Sequence, residues 1–295
     1  MTAQRLHQHE RSNPFSADQS AISAETIATT AARCMTLELE TWPKPGLVSH
    51  IDSGSHDDMN AETFRASVKA ITPHFKELAE AGAAGSSMGR LRIIGLEAEA
   101  AMFAATAGVN THRGAIFGLG LLCAAAGARS AGQVHSALAL GAVVTQLWRD
   151  GILDGPRLLR SHGEGARRRF GSGGARMEAA EGFPSIYQVG LPALRRGILV
   201  APGDAEAARV EVCFALIAAL EDTNLIHRGG AAGLQFANRT AQRFLDDGGV
   251  SNTDWRERAG LVHRHFIDRW LSPGGSADLL AMTLFVGSFD GVWRA

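Results

Sequence analysis

The densest group of polar side chains in this sequence stands directly before an apolar run. Residues 108–117 read GVNTHRGAIF, which places an amide, a hydroxyl, an imidazole and a guanidinium between two glycines. The start of a helix leaves backbone N–H groups unpaired and carries the positive end of the helix dipole, so it suits an anion. Arg113 adds a fixed charge and a planar set of donors that matches phosphate. The segment therefore predicts an anion-binding helix start, and an ordinary helix capped by Asn110 or Thr111 is the alternative.

A second group of chemically capable residues lies upstream, in a proline-rich stretch. Residues 43–48 read PKPGLV, and residues 52–59 read DSGSHDDM. Lys44 offers a point charge for a phosphate, and Asp57 and Asp58 offer hard oxygen ligands for a Mg²⁺ that also touches phosphates. The alternative is a rigid turn followed by acidic residues that favour the next helix start.

Two further segments place a charged residue among alanines or glycines. Glu99 lies on an Ala-rich helical stretch, where a carboxylate is either solvent-facing or a placed acid, base or ligand. In residues 171–178, GSGGARME, glycines such as Gly174 allow a close backbone approach and Arg176 can complete a phosphate cradle. A flexible connector is the alternative for the second segment.

Two polar segments near the C-terminus complete the set. Asp222 and Asn224 follow an apolar helix, and Arg228 comes shortly after them. Ser276 and Asp278 stand in the stretch SPGGSAD, where capping of a helix explains much of the pattern. Both segments could instead add oxygen ligands or contacts to a base.

Helical periodicity dominates the elements that must position these residues. Apolar spacing predicts helices over 23–39, 61–81, 91–107, 115–126, 131–148, 205–220, 231–245, 254–271 and 276–287. The pattern loosens between 150 and 191, where glycines and prolines exclude one long helix, and alternating strands are not found. The sequence predicts an all-α protein with one large helical domain over residues 21–295, long Gly-rich functional loops and a flexible N-terminal tail over residues 1–20.

Composition narrows the classes of function. The 295 residues are 45% hydrophobic and 20% charged, with a formal net charge of −1, so no global basic field indicates a nucleic-acid partner. The N-terminus lacks the apolar core of a signal peptide, and the longest apolar run is shorter than the ~20 residues of a membrane span. The three cysteines show no metal-ligand spacing, which favours reduced thiols in a cytoplasmic protein without membrane contact.

Common nucleotide and hydrolase motifs are absent from the sequence. It contains no Gly-x-x-x-x-Gly-Lys-Ser/Thr phosphate loop, no Gly-x-Gly-x-x-Gly after a strand, no His-Glu-x-x-His and no Gly-x-Ser-x-Gly. A nucleotide would therefore be bound outside the common folds.

Taken in order, seven segments resemble the triphosphoribosyl-dephospho-CoA synthase family. They are PKPGLV at 43, SGSHDDM at 53, RIIGLEAE at 92, GVNTHRGAIF at 108, GARMEA at 174, DTN at 222 and SPGGSADLLA at 272. The resemblance extends from about Cys34 to Phe289. Arg113 stands where the family often has lysine, and Met177 where it often has glycine. The segment LELETW at 37–42 resembles the branch associated with malonate decarboxylase.

The resemblance implies an all-α enzyme that uses ATP and 3′-dephospho-CoA. Such an enzyme makes 2′-(5″-triphosphoribosyl)-3′-dephospho-CoA and releases adenine. The product is the precursor of the prosthetic group on the acyl carrier of malonate decarboxylase or citrate lyase, which a downstream holo-carrier-protein transferase attaches. The implied inversion at C1′ indicates a single displacement through an oxocarbenium-like transition state. The Ala-rich helices suit a homodimer interface or a large core equally.

The candidate site residues follow from the motifs and the resemblance together. Lys44, Arg113, Arg176 and Arg228 are assigned to phosphates, and Mg²⁺ to some of Asp57, Asp58 and Glu99. Asp222 or Glu99 is the candidate general base, and His112 the donor to a phosphate or to the leaving adenine. The remaining predicted substrate-binding residues are Gly46, Asn110, Thr111, Gly114, Gly174, Asn224 and Ser276.

Two other functions compete with this interpretation. An all-α metal-dependent nucleotide phosphohydrolase could use the dipeptide His56-Asp57, with His50 and Asp222 as further ligands. A helical scaffold or carrier-binding module would show no nucleotide affinity. The polar, glycine-flanked loops argue against the scaffold.

Overall fold

The described part of the chain, residues 22–155 and 174–292 of the computed structural model, is helical throughout. No strand occurs within these ranges, which confirms the all-α prediction. The helices are α1 (Ala24–Leu39), α2 (Ala61–Ala83), α3 (Met88–Ala105), α4 (Arg113–Ser130), α5 (Leu140–Leu153), α6 (Gly174–Ala180), α7 (Leu191–Val200), α8 (Ala205–Ala219), α9 (Thr223–Asp246), α10 (Trp255–Ile267) and α11 (Gly274–Phe289). A π-helical turn, Ile186–Gly190, and a 3₁₀ turn, Gly249–Ser251, complete the secondary structure. The predicted tail over residues 1–20 lies outside the described residues.

The first two helices begin where the sequence predicts. The Ser23 side chain accepts a hydrogen bond from the backbone N–H of Thr26 at 3.1 Å. Asn60 accepts from the backbone N–H of Thr63, and the Thr63 hydroxyl accepts from the backbone N–H of Asn60, so the pair forms a capping box. Short polar side chains therefore satisfy the free N–H groups at both helix starts.

Glycines let α2 and α4 pack backbone against backbone in the core. A Cβ atom on Gly82 would lie 1.9 Å from the carbonyl oxygen of Ala124, and one on Gly127 would lie 2.0 Å from that of Ala79. The helix predicted over 61–81 is two residues too short, because Gly82 lies inside α2 and its missing side chain makes room for α4. The central helix α4 is buried along most of its length.

Three further differences from the predicted helices are larger. The predicted helix over 131–148 begins only at Leu140, since α4 extends to Ser130 and Gly132 then adopts a positive φ of 74°. Helix α7 lies between two predicted helices and was not predicted. Pro192 stands in its first turn, where a proline needs no N–H partner. Helix α9 starts already at Thr223 and is interrupted at Gly230, which has φ 62° and ψ −162°.

Helix α11 packs against α1, α4 and α8, and this arrangement brings several connections to one end of the bundle. The α1–α2, α3–α4, α8–α9 and α10–α11 connections carry most of the polar segments singled out above. Within the described ranges, no helix combines the length and the apolar character that a bilayer crossing requires.

Candidate active site

One large cavity, of about 1230 Å³, gathers most of the predicted site residues. Its walls come from α1, the 41–60 loop, α3, the start of α4, α6, and the starts of α9 and α11. The predicted residues that line it are Asp58, Glu99, Asn110, Thr111, His112, Arg113, Gly114, Gly174, Arg176, Asp222, Asn224 and Arg228. Segments far apart in sequence thus meet around a common space.

Four predicted residues do not line this cavity. Lys44 is completely buried and forms an ion pair with Glu38. The Glu38 carboxylate, and not the Lys44 ammonium, lines the cavity. Gly46 packs under the carbonyl oxygen of Leu271, from which a Cβ atom would lie only 2.0 Å away. Ser276 is buried, and Asp57 is exposed outside the wall. This arrangement therefore does not include the substrate contacts predicted for Lys44, Gly46 and Ser276, or the magnesium contact predicted for Asp57.

A buried polar network holds the proline loop in place. Nδ1 of His263 lies 2.6 Å from the carbonyl oxygen of Lys44, and Nε2 lies 3.1 Å from a carboxylate oxygen of Asp52. Burial raises the pKa of the Glu38 carboxyl, while the Lys44 ammonium beside it limits that rise. The loop therefore places the Lys44 ammonium behind the cavity wall, where it pairs with the Glu38 carboxylate that α1 contributes to the wall.

Asp222 links the starts of two helices. Its carboxylate accepts from the backbone N–H of Asn224 at 2.9 Å, and from the backbone N–H and hydroxyl of Ser276 at 2.9 Å and 3.1 Å. Burial raises its pKa, and these donors oppose the rise. Because three donors already occupy the carboxylate, Asp222 is well oriented but has little free capacity to accept a proton from a substrate.

Glu99 and Arg113 form a partly exposed ion pair at the cavity opening. The Nε atom of Arg113 lies 2.9 Å from a carboxylate oxygen of Glu99, and the two side chains are 37% and 20% exposed. The predicted phosphate ligand and the predicted base or metal ligand therefore neutralise each other here.

Arg228 ties two loops together at the same opening. Its guanidinium donates to the carbonyl oxygens of Ser55 at 2.7 Å and Trp270 at 3.1 Å, and lies 3.1 Å from Nδ1 of His56. His56 in turn lies 3.4 Å from the carboxylate of Asp58. The guanidinium of Arg228 thus holds the two loops together, and the residue also lines the cavity.

The predicted magnesium ligands are not assembled as a trio. Among the described residues, the group whose ligand atoms lie within 4.8 Å of one another is His74, Glu77 and Glu97, on α2 and α3. Asp58 and Glu99 nevertheless present carboxylates to the cavity. Mg²⁺ commonly binds proteins through one or two carboxylates and completes its shell with phosphates and water, so this donor set fits the ion. The magnesium site stays a prediction.

His112 is buried at the residue before α4. Its Nδ1 lies 2.7 Å from the hydroxyl of Ser67, and the Phe64 ring meets it edge-on with centroids 4.7 Å apart. Its Nε2 is buried without a hydrogen-bond partner among the described residues. Burial, with a contribution from the Lys44 charge, lowers the pKa of His112 to about 3.

The structure adds two acidic residues that the sequence-based prediction missed, Glu38 and Asp278. Asp278 lies in the second turn of α11, and a Cβ atom on Gly114 would stand 2.0 Å from its carboxylate oxygen. The backbone N–H of Ala115 donates to this carboxylate, while burial and the charges of Glu38 and Asp222 raise its pKa well above the usual range.

Signals for both residues were present in the sequence. Asp278 belongs to the segment SPGGSADLLA, where its place in a helical first turn suggested capping of α11 itself. Glu38 shares the buried face of α1 with Cys34 and Met35, so a carboxylate at that spacing indicated a buried acid needing a partner.

Comparisons with known proteins agree with this site. A family profile described as ATP:dephospho-CoA triphosphoribosyl transferase matches residues 24–295. A probable 2-(5″-triphosphoribosyl)-3′-dephosphocoenzyme-A synthase from Acinetobacter calcoaceticus is 37% identical over 91% of each chain. Proteins of the same description from Vibrio cholerae and Pseudomonas putida are 39% and 36% identical, covering 87% and 89% of this chain and 85% and 94% of their own. No solved structure matches.

Proposed function

Because this chain belongs to the ATP:dephospho-CoA triphosphoribosyl transferase family, we propose that it transfers the 5-triphosphoribosyl group of ATP to the 2′-hydroxyl of 3′-dephospho-CoA and releases adenine. The observation that supports this most is the single cavity that unites arginines, carboxylates and a helix start. Its volume of about 1230 Å³ exceeds the ~300–1,000 Å³ of an ordinary small-molecule pocket, as expected where two substrates meet.

The reaction places three demands on the site. The C1′–N9 bond of ATP breaks while the 2′-oxygen of dephospho-CoA attacks C1′, and the transition state resembles an oxocarbenium ion. The triphosphate must be held, the incoming hydroxyl must lose its proton, and the departing adenine must be stabilised.

We assign the triphosphate to the opening of the cavity. Arg113, Arg176 and Arg228 line it together with the start of α4, so fixed charges and backbone N–H groups converge there. Binding a phosphate to Arg113 releases Glu99 from its ion pair. Asp58 and Glu99 would hold a Mg²⁺, which supplies charge neutralisation for the polyphosphate when bound.

We assign proton removal to a carboxylate in the inner part of the cavity. Asp222 and Glu99 are the candidates from sequence, but Asp222 accepts three hydrogen bonds and Glu99 pairs with Arg113. Asp278 lines the same space, and burial with the charges of Glu38 and Asp222 raises its pKa, which makes its carboxylate a stronger base than an ordinary one. It therefore joins them as the third candidate.

Three isosteric variants separate these candidates. Loss of the general base should lower kcat by about 10²–10⁴-fold. We expect Asp278→Asn to show that loss and to remain folded, Asp222→Asn to lose stability together with activity, and Glu99→Gln to affect mainly the KM for ATP. Normal kcat in Asp278→Asn would exclude it as the base.

The activity itself is tested by product analysis. The protein is incubated with ATP, 3′-dephospho-CoA and Mg²⁺, and the mixture is separated by chromatography with mass detection. We expect free adenine and a CoA derivative heavier by the triphosphoribosyl group. Inorganic phosphate or pyrophosphate without adenine would instead indicate a phosphohydrolase and contradict the proposal.

The physiological carrier is a separate proposal. The segment at 37–42 supports malonate decarboxylase, rather than citrate lyase, as the enzyme whose acyl carrier receives the product after a downstream transferase. A deletion strain should lose growth on malonate and keep growth on citrate, and the opposite pattern would reverse the assignment. We also propose a cytoplasmic homodimer, to be checked by size-exclusion chromatography with light scattering and by cell fractionation.

A further inference from the structure

A chain of two hydroxyls sets the protonation of His112. The Thr111 hydroxyl donates to the Ser67 oxygen at 2.8 Å, and the Ser67 oxygen lies 2.7 Å from Nδ1 of His112. A hydroxyl has one proton, and the Ser67 oxygen already accepts from Thr111, so the Ser67 proton is free to point at Nδ1. With Nδ1 as acceptor, the neutral ring carries its own proton on Nε2.

This arrangement leaves a donor without an acceptor. Nε2 of His112 is buried and has no hydrogen-bond partner among the described residues. Buried polar groups are nearly always paired, so an exception beside a cavity calls for an explanation. His112 belongs to the cavity wall, and a bound ligand can supply the missing acceptor.

The surroundings of His112 suit a nucleobase better than a phosphate. The Phe64 ring packs edge-on against the imidazole, and the His112 backbone N–H points to the sulfur of Met102. By contrast, Arg113 and Arg228 are held by Glu99 and by loop carbonyls at the opening. An apolar, aromatic surrounding with one neutral donor matches a purine ring nitrogen.

We propose that His112 donates a hydrogen bond from Nε2 to a ring nitrogen of the bound adenine, and that Ser67 is the positioning residue that holds this tautomer. The role in the reaction rests on the function proposed above. As the C1′–N9 bond breaks, its electron pair moves onto the purine, and the Nε2–H bond stabilises the developing charge. The imidazole keeps its proton, while the proton lost by the 2′-hydroxyl is returned to the released adenine through solvent.

The electrostatics of the pocket agree with a neutral donor. The pKa of His112, lowered to about 3 by burial and the Lys44 charge, keeps the imidazole uncharged at neutral pH. The residue then acts as a hydrogen-bond donor rather than a general acid, the role of a neutral active-site imidazole in triosephosphate isomerase.

Nitrogen-15 NMR of histidine-labelled protein tests the tautomer without turnover. The His112 signals are assigned by their loss in His112→Asn. We expect a protonated Nε2 and an unprotonated Nδ1 that stay constant between about pH 5 and pH 8. Ser67→Ala should disturb this pattern, while Thr72→Ala, which removes a hydroxyl from the same helix, should leave it unchanged. A protonated Nδ1, or titration of His112 within that range, would overturn the proposal.

Deaza nucleotides test the contact with adenine. ADP added to the labelled protein should shift the Nε2–H signal, and ADP lacking the accepting ring nitrogen, N3 or N7, should shift it less. In turnover, one of 3-deaza-ATP and 7-deaza-ATP should react about tenfold or more slowly than ATP, as for the loss of a buried hydrogen bond. His112→Asn should lose this discrimination, whereas His112→Gln, which keeps a donor near the Nε2 position, should retain part of it.

The two proposals fail in different ways. Equal discrimination by wild type and His112→Asn, or no Nε2–H shift with ADP, would refute the contact even if adenine is released. Conversely, absence of adenine release from ATP would refute the proposed transfer reaction, while the NMR results would still decide the tautomer and the base contact.

Discussion

The titratable residues in and behind the inner cavity wall are held differently from those at the cavity opening. The inner set, Glu38, Lys44, His112, Asp222 and Asp278, is buried or half-buried, and packing or several hydrogen bonds hold its members. The outer set is partly exposed, and partly exposed ion pairs and hydrogen bonds join its members. It consists of His56, Asp58, Glu99, Arg113 and Arg228. Lys44 is 0% exposed in its pair with Glu38, whereas Arg113 is 37% exposed in its pair with Glu99.

This difference in burial suggests different functions for the two sets of residues. Exposed ion pairs contribute only ~0–1 kcal/mol, so an incoming phosphate can replace Glu99 on Arg113 at little energetic cost. Buried groups reorganise only with a large penalty, so the inner set keeps its geometry through the reaction. The inner set is therefore suited to the reacting centre, and the outer set to binding and release of the triphosphate.

The largest expected effect comes from breaking the inner ion pair. Lys44→Met leaves Glu38 buried without its partner, and we expect the free energy of unfolding to fall by about 3–5 kcal/mol. The measurement is urea denaturation followed by circular dichroism. Arg65→Met, which breaks the exposed pair with Glu62, is the matched control and should change stability by less than about 1 kcal/mol.

A double variant makes the same comparison sharper. Glu38→Gln combined with Lys44→Met removes both charges and should recover much of the stability that the single change loses. If Lys44→Met destabilises no more than Arg65→Met, the inner pair is as weak as an exposed one and the contrast fails.

The second effect is a pH dependence that His112 gives to stability. Its pKa is about 3 in the folded protein and 6.5 as the ordinary value, so below about pH 6.5 the unfolded chain binds the extra proton. His112 therefore does not lower the free energy of unfolding above its ordinary pKa. The free energy of unfolding falls as the pH drops from that value towards the pKa of His112 in the folded protein. Between about pH 7.5 and pH 5 the expected loss is roughly 2 kcal/mol.

The His112→Gln variant isolates this contribution. Its free energy of unfolding should vary less with pH than that of the wild type over the same range. The difference between the two plots of this free energy against pH gives the contribution of His112. Parallel curves would mean that His112 titrates alike in the folded and unfolded states.

The smallest expected effect belongs to the outer set. Arg113→Met should raise the Kd for ATP about tenfold, because one charged hydrogen bond to phosphate is lost, and should change stability by less than about 1 kcal/mol. Arg113→Lys keeps the charge and should retain most of the affinity. Isothermal titration at two salt concentrations measures both, and an unchanged Kd in Arg113→Met would remove Arg113 from the phosphate site.

The sequence predicted local features well and tertiary pairings poorly. The caps at Ser23 and Asn60 depend on neighbouring residues alone, and both predictions are confirmed. The place of Gly82 inside α2 depends on the approach of α4, which no local pattern shows. Likewise, residues 131–139 have helix-compatible composition, yet the chain turns there after α4 ends.

The same limit applies to the site. Clusters of polar residues in the sequence indicated most of the cavity-lining segments, because such clusters are not expected in the core of a helical protein. It did not reveal that Lys44 turns inward to Glu38 or that Ser276 is used by Asp222. Asp278 was interpreted mainly as part of a helix start, with a ligand role as the alternative, since only the tertiary fold places it over Gly114 at the start of α4.

A crystal structure of the protein with ATP and Mg²⁺, without dephospho-CoA, would show directly whether the outer set binds the triphosphate and the inner set the adenine. We expect the triphosphate at the outer set, in contact with Arg113 and with Glu99 released from it, and the adenine ring against His112 and Phe64. ATP bound on another surface, or bound with the adenine at the outer set and the phosphates beside Asp278, would contradict it.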